Sequence, residues 1–247
     1  EVLRLPKVVA AISPSSVLTM RLRFRQLLLE APELDVRRDG QGRIHVGGIQ
    51  LQSNAASGGA DLTDWFLEQH EIAIRHGMLR WSDEKNAAPP LALQDVDLVL
   101  RNGVFSHDLR LDATPPVKWG ERFSIHARFK HGLLKRASDF EQWSGNLYAN
   151  LPRADMRELR GHVKLPFELN EGDGALRAWL EFESGKQSNA TLDVALRAVK
   201  LRLAPELEKL ELARISARVS LRHQARHWGL DVKRLSFVTD NAQEFAP

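Results

Sequence analysis

Apolar residues occupy every second position in a succession of strand-length segments along this chain. One such segment runs from Phe123 to Lys130, another from Leu176 to Phe182, and a third from Leu192 to Arg197. A period of two places successive side chains on opposite faces of a β-strand, so each segment has one apolar and one polar face. The pattern predicts an all-β protein with a few short helices. What the apolar face contacts is therefore the functional question.

Composition excludes several classes of protein. The 247 residues are 43% hydrophobic and 27% charged, which is typical of a globular chain, and the formal net charge is only +3. Because the charges alternate with apolar residues along the chain, we expect a solvated face and no nucleic-acid partner. The absence of cysteine excludes disulfides, thiolate metal sites and cysteine nucleophiles.

The order of segments predicts about 14 strands. A first strand is expected from Val2 to Ile12, with Pro6 at an edge or bulge, and short helices at 61–67 and 153–159. Strands then follow one another with turn residues between them, including one at 160–170 and another at 175–184. A β-bulge near Gly77 is expected to shift the apolar register from Ile72 and Ile74 to Leu79 and Trp81.

So many strands rarely form one flat sheet, because a twisted open sheet of more than about ten strands curls or splits. A split into two packed sheets gives a sandwich, which is the solution that periodicity alone favours. Closure gives a membrane barrel, which the single tyrosine disfavours because such barrels carry aromatic girdles. Curling gives an open trough with its apolar face inside.

No residue pattern indicates catalysis or metal binding. The nine histidines show no ligand spacing beside carboxylates, and Asp95 and Asp97 are expected to share the solvated face of one strand. No serine lies in a Gly-x-Ser-x-Gly motif, and the glycine pairs are turn glycines. We therefore expect no enzymatic activity, no catalytic residues, no cofactor and no metal site.

Several short sequence segments, taken in order, resemble the central region of the YhdP family. Members of this family are large proteobacterial envelope proteins of the AsmA-like superfamily. They are Leu79–Asp83, Ala113–Gly120, Trp143–Tyr148 leading into Leu151–Asp155, and Gly172–Trp179. The earlier stretch Leu27–Gly40 is similar to the strand-Pro-strand-turn near the start of AsmA-like chains. Together these matches cover most of residues 1–240.

The resemblance implies a long, strongly curled and mainly antiparallel sheet that forms an open, elongated apolar groove. It implies a periplasmic segment of an inner-membrane-anchored lipid-transfer bridge, which moves phospholipid towards the outer membrane with the acyl chains as its partners. Residues 1–60 would be an N-terminal strand-helix-strand segment and residues 61–247 a continuous β-groove, together one unit of a longer chain. The alternative is a β-sandwich interaction or scaffold module of the cell envelope.

Alternation selects the residues expected to line the groove, although ordinary core packing is an equally good explanation for any one of them. They are Ile72, Ile74, Leu93, Leu98, Leu100, Phe123, Ile125, Phe129, Val163, Leu165, Phe167, Leu176, Leu180, Phe182, Leu192, Val194 and Leu196. Their polar neighbours, among them Asp97, His126, Lys164, Glu181 and Asp193, are expected to face water.

Overall fold

Strands dominate the computed structural model, which describes residues 3–14, 16, 20, 22–50, 59–133, 135–162, 168–224, 227–241 and 243–245. In chain order the strands are β1 (Leu3–Arg4), β2 (Lys7–Ile12), β3 (Phe24–Glu30), β4 (Glu33–Arg38), β5 (Ile44–Val46), β6 (Ile49–Gln50), β7 (Glu71–Asp83), β8 (Ala88–Asn102), β9 (Ser106–Thr114), β10 (Phe123–Lys130), β11 (Ser144–Asp155), β12 (Glu168–Glu183), β13 (Lys186–Arg202), β14 (Leu210–Gln224), β15 (His227–Thr239) and β16 (Glu244–Phe245). The helices are α1 (Gly59–Glu68), a 3₁₀ turn (Phe140–Gln142) and α2 (Met156–Leu159).

All 16 strands belong to one open sheet. From β7 to β16 each strand pairs antiparallel with the next strand in the sequence. Short loops suffice for such neighbours, which explains the turn residues between the segments. No second sheet packs on this one in the described part of the chain, so the two-sheet sandwich that periodicity favours is wrong and the open sheet is confirmed.

The start of the chain adds a feature that alternation does not predict. Both β3 and β4 pair with β7 in parallel, one after the other along its length, with a break at Ala31 and Pro32 between them. The prolyl residue cannot donate a ladder hydrogen bond, which fits its place at the break. The expected first strand is likewise divided at Pro6, so that β1 pairs with β4 and β2 pairs with β3.

Bulges inside the long strands bend the sheet. His76, Asp95, Ala198 and Arg234 have positive φ within β7, β8, β13 and β15, and register shifts accompany all four. A bulge kinks its strand and increases the local twist, so these positions curl a sheet that would otherwise be nearly flat. The bulge expected near Gly77 is confirmed by the register shifts on both sides of that residue.

The expected strand at 160–170 lies partly outside the described residues, since 163–167 are not among them. Residues 160–162 form a turn after α2, and residues 168–170 belong to β12, which continues to Glu183. Glycine residues at 172 and 174 suggested a hairpin turn, but both lie inside β12 as extended residues. Helices occur close to both expected positions, as α1 and α2.

Candidate functional site

The register of the sheet joins apolar residues into continuous rows. Residues that are directly opposite each other in neighbouring strands point to the same face. The first apolar row crosses nine strands from β7 to β15 and consists of Ile72, Leu100, Leu109, Ala127, Leu147, Leu180, Ala190, Leu221 and Leu230. The second crosses the same strands two residues away and consists of Ile74, Leu98, Leu111, Ile125, Ala149, Ala178, Leu192, Val219 and Val232.

The rows contain no polar side chain, and they extend beyond β7. Leu27 and Leu29 of β3 lie beside Ile72 and Ile74. At a spacing of about 4.8 Å between strands, the eight gaps from β7 to β15 give a path of about 38 Å. A local accumulation of apolar residues would suit a core, whereas these rows cross nine of the 16 strands of the sheet.

Of the expected groove residues, those that the structure describes lie on this one face. The rows contain Ile72, Ile74, Leu98, Leu100, Ile125, Leu180 and Leu192, and Leu93, Phe123, Phe129, Leu176, Phe182, Val194 and Leu196 lie beside the rows. Val163, Leu165 and Phe167 lie outside the described residues. Contact of these side chains with lipid remains a prediction.

The middle of the apolar face has no covering layer among the described residues. Leu98, Ile125, Leu180 and Val194 are all partly exposed, and Val194 also packs against the buried cluster around Met156. The rows contain three buried residues, Ile72, Ile74 and Ala127, and the other buried apolar clusters lie at the sides of the face. An exposed apolar surface of this extent is unusual for a protein in water and is typical of a binding surface.

One side of the face is bounded by an aromatic rim, which we define as His107, Phe129, His131, Trp143 and Phe182. The indole of Trp143 stacks on His107 with ring centroids 4.5 Å apart, and His131 stacks on His107 at 5.3 Å. Phe129 contacts both Trp143 and Phe182, at 5.6 and 5.8 Å. The loop between β10 and β11 therefore folds over the ends of the strands and closes this side.

Burial and hydrogen bonding fix the state of His107, which is only 2% exposed. The amide nitrogen of Asn102 donates to the carbonyl of Gln69, so its Oδ1 accepts from Nδ1–H of His107 at 2.7 Å. Burial, with a smaller contribution from His131, lowers the pKa of His107 to about 4. Its Nε2 has no hydrogen-bond partner in the described part of the chain, so the imidazole is neutral at pH 7.

The opposite side is bounded by α2 and two buried clusters. Met156 of α2 packs into a cluster with Ala154, Leu196 and Val199, and a second cluster is built on Leu93, Val96 and Ala113. Asp155 caps α2, because its side chain accepts a hydrogen bond from the backbone of Arg157 at 2.9 Å. These clusters are covered core, in contrast to the open rows between them and the aromatic rim.

The other face of the sheet is polar. Arg122, which precedes β10, donates to two carboxylates of β8, Asp95 at 2.9 Å and Asp97 at 2.8 Å, and His76 of β7 lies 2.8 Å from Asp95. The spacing of the histidines in the sequence does not predict this contact, because the bulges in β7 and β8 bring His76 and Asp95 together. The hydrogen bond to Asp95 raises the pKa of His76. The guanidinium already supplies the cation between these carboxylates, so the cluster is explained without a metal.

Two hollows, of about 690 and 200 Å³, lie on the polar face. The larger is lined by charged and hydrogen-bonding side chains such as Asp112, His126, Arg128 and Tyr148. Charged side chains line both hollows, in contrast to the apolar rows on the other face.

Comparison with protein families agrees with this architecture. The family described as YhdP protein matches residues 1–246. The chain belongs to the YhdP family. The match spans both the parallel start of the sheet and the long antiparallel part, so the YhdP family assignment covers the apolar rows and both rims. Searches among curated proteins and among solved structures gave no match. In the described part of this YhdP-family chain, no helix has the length and apolar character needed to cross a membrane.

Proposed function

We propose that the chain is a segment of a lipid-transfer bridge of the bacterial cell envelope, in which the apolar face carries the acyl chains of phospholipids. The observation that carries the proposal is the pair of uninterrupted apolar rows across β7 to β15, without a covering layer in the described part of the chain. Membership of the YhdP family supports it. The proposed location is the periplasm, in a full-length protein tethered to the inner membrane.

The energetics favour such a surface. Exposure of a 16-carbon acyl chain to water costs on the order of 12 kcal/mol, at about 0.8 kcal/mol per methylene. A lipid therefore needs a path without polar interruptions, and an ionised or hydroxyl-bearing side chain in a row would interrupt it. Each row places an aliphatic side chain about every 4.8 Å, which keeps a sliding chain in contact with apolar atoms at each strand.

In this proposal the sides and the middle of the apolar face have different roles. The covered clusters and the aromatic rim hold the sheet in shape, while the open middle accepts acyl chains. Head groups would remain at the solvent-exposed opening and need no specific recognition site. No chemical reaction is proposed, because transfer requires only that a lipid moves along the surface.

Site-specific photo-crosslinking in cells tests the proposal. A photoreactive amino acid at Leu180 or Leu98 should capture phospholipid, which mass spectrometry would identify. At Glu181 or His126, which lie one residue away from row positions and face the other side, it should not. Equal capture on both faces, or capture on neither by a folded protein, would instead favour an interaction or scaffold module that uses the sheet edges.

A further inference from the structure

Charge is distributed unevenly over the polar face. Over β8 to β10 the arginines are neutralised, since Arg101 pairs with Glu71, Arg110 with Asp112, and Arg128 with Asp108. Over β12 to β15 four exposed arginines have no ion pair or hydrogen bond among the described residues. They are Arg177, Arg214, Arg222 and Arg234. The small net charge of the chain therefore conceals a local basic surface.

Register places these arginines around the ion pair of Arg218 and Asp193. Arg177 lies opposite Asp193, Asp193 opposite Arg218, and Arg218 opposite Lys233. The guanidinium of Arg218 donates to both oxygens of Asp193, at 2.5 and 2.6 Å, so this carboxylate is already satisfied. The row thus carries three cations and one anion, and the third cation, Lys233, pairs with the neighbouring Asp231 at 3.1 Å. We call Arg177, Arg214, Arg218, Arg222 and Arg234 the basic strip.

A hollow of about 200 Å³ lies within the basic strip. It is lined by Arg177, Arg218 and Arg234, with the hydroxyl of Ser216 and the carboxylate of Asp193 as the other polar groups. The hydrogen bond from Arg218, together with the nearby charges of Arg177 and Arg234, lowers the pKa of Asp193. Three guanidiniums beside one ionised carboxylate leave an excess of positive charge in the hollow.

The strip is longer than a single small anion. Arg214 and Arg222 lie four residues on either side of Arg218 on the same face of β14, so they are about 26 Å apart along the strand. Across the sheet the strip extends from β12 to β15, a further 14 Å or so. Guanidinium groups match phosphate by paired hydrogen bonds. Because the strip is open and spread out, it fits a surface that carries many phosphates.

We propose that the polar face of β12 to β15 docks on the phosphate groups of an anionic membrane surface. This surface is on the opposite side of the sheet from the apolar rows, so the proposal does not depend on lipid transfer. Membrane docking would hold this part of the chain beside a bilayer, with the apolar face turned away from the headgroups.

Vesicle binding tests the proposal. The protein should bind vesicles that contain phosphatidylglycerol and phosphatidylcholine, should not bind vesicles of phosphatidylcholine alone, and should bind less well as salt rises. Arg214→Gln and Arg222→Gln should each weaken binding about fivefold, because each exposed cation near an anionic bilayer contributes about that factor. Neither arginine has a partner in the described structure, so the fold should be unchanged by circular dichroism.

Matched controls separate this surface from the apolar face. Arg75→Gln removes an exposed arginine from the polar side of β7, far from the strip, and should leave vesicle binding unchanged. Leu180→Asp changes the apolar face and should also leave it unchanged if the variant folds. Binding that is insensitive to Arg214→Gln and Arg222→Gln would overturn the proposal. So would equal binding to neutral vesicles, full competition by inorganic phosphate, or tighter arginine-dependent binding to duplex DNA.

Discussion

At the scale of single residues, two glycines are needed because the backbones of neighbouring strands approach each other closely. Gly174 lies in β12 between Ala154 and Leu196, on the apolar side of the sheet. A Cβ atom there would collide with the carbonyl oxygen of Ala195 and lie 3.0 Å from the Cα of Leu196. Gly145 has the same relation to the carbonyl of Arg128. Both glycines are therefore required by the close approach of neighbouring strands.

Gly174→Ala should lower the free energy of unfolding by about 1–3 kcal/mol, because the added methyl group forces the β12 and β13 backbones apart. Denaturant titration measures this change. Gly40→Ala is the matched control, since a Cβ atom at Gly40 has nothing within 4 Å, and its effect should stay within about 0.5 kcal/mol. Equal destabilisation by both substitutions would contradict the role given to Gly174.

At the scale of elements, the loop between β10 and β11 is attached to the sheet mainly by side chains. Trp143 stacks on His107, and Ser138 in the same loop donates its backbone N–H to Asp64 of α1 at 2.8 Å. The loop therefore connects α1, β9 and the aromatic rim. Because His107 is buried beneath the loop, we expect its protonation to be coupled to the folding of this part of the protein.

This coupling predicts a pH dependence of stability. The pKa of His107 is about 4 in the folded protein and about 6.5 in an unfolded chain. As the pH falls below 6.5, the unfolded chain binds a proton that the folded protein does not yet bind. The free energy of unfolding should therefore keep its full value above about pH 6.5 and decrease between about pH 6.5 and pH 4. The full loss is up to roughly 3 kcal/mol, at 1.36 kcal/mol per pKa unit.

His107→Phe should remove this contribution while keeping an aromatic ring under Trp143. The absolute stability of the variant will fall, since Oδ1 of Asn102 loses its donor, and the slope of unfolding free energy against pH is therefore the quantity to compare. The exposed His126 gives the control, and His126→Asn should preserve the slope between pH 4 and 6.5. An unchanged slope in His107→Phe would show that another group titrates.

At the scale of the whole molecule, alternation was sufficient to predict the apolar face but not the path of the chain. A period of two predicts which face of the sheet Leu98, Ile125 and Leu180 occupy. The same rule places His107 on the apolar face, because it lies two and four residues from Leu109 and Leu111. The contact between His76 and Asp95 depends on two bulges in different strands, and no local pattern reveals it.

The pairing of β3 and β4 with β7 was also beyond sequence reasoning. Parallel strands require a connection that crosses the sheet, and the pattern of one strand does not name its partner. The sequence did not predict that β12 is continuous, because glycines such as Gly172 and Gly174 usually indicate a turn. In the structure both lie within the strand, where neighbouring atoms leave little room for a side chain. The basic strip required the register of four strands, since its arginines are far apart in the sequence.

The proposed function requires that transport by the full-length protein depends on the uninterrupted apolar face, and Val194→Asp tests that dependence. Val194 lies opposite Leu176 and Ala217 on the apolar side of β13, where an ionised carboxylate would have to be desolvated each time an acyl chain passed. We expect phospholipid transfer to the outer membrane to stop in this variant, as measured by labelled lipid in cells. Ala195→Asp places the same charge one residue away on the exposed opposite face, and transfer should continue. The unfolding free energies of both variants are measured in parallel, because they distinguish a blocked path from a protein that no longer folds. Normal transfer in a folded Val194→Asp protein would contradict a path along this face.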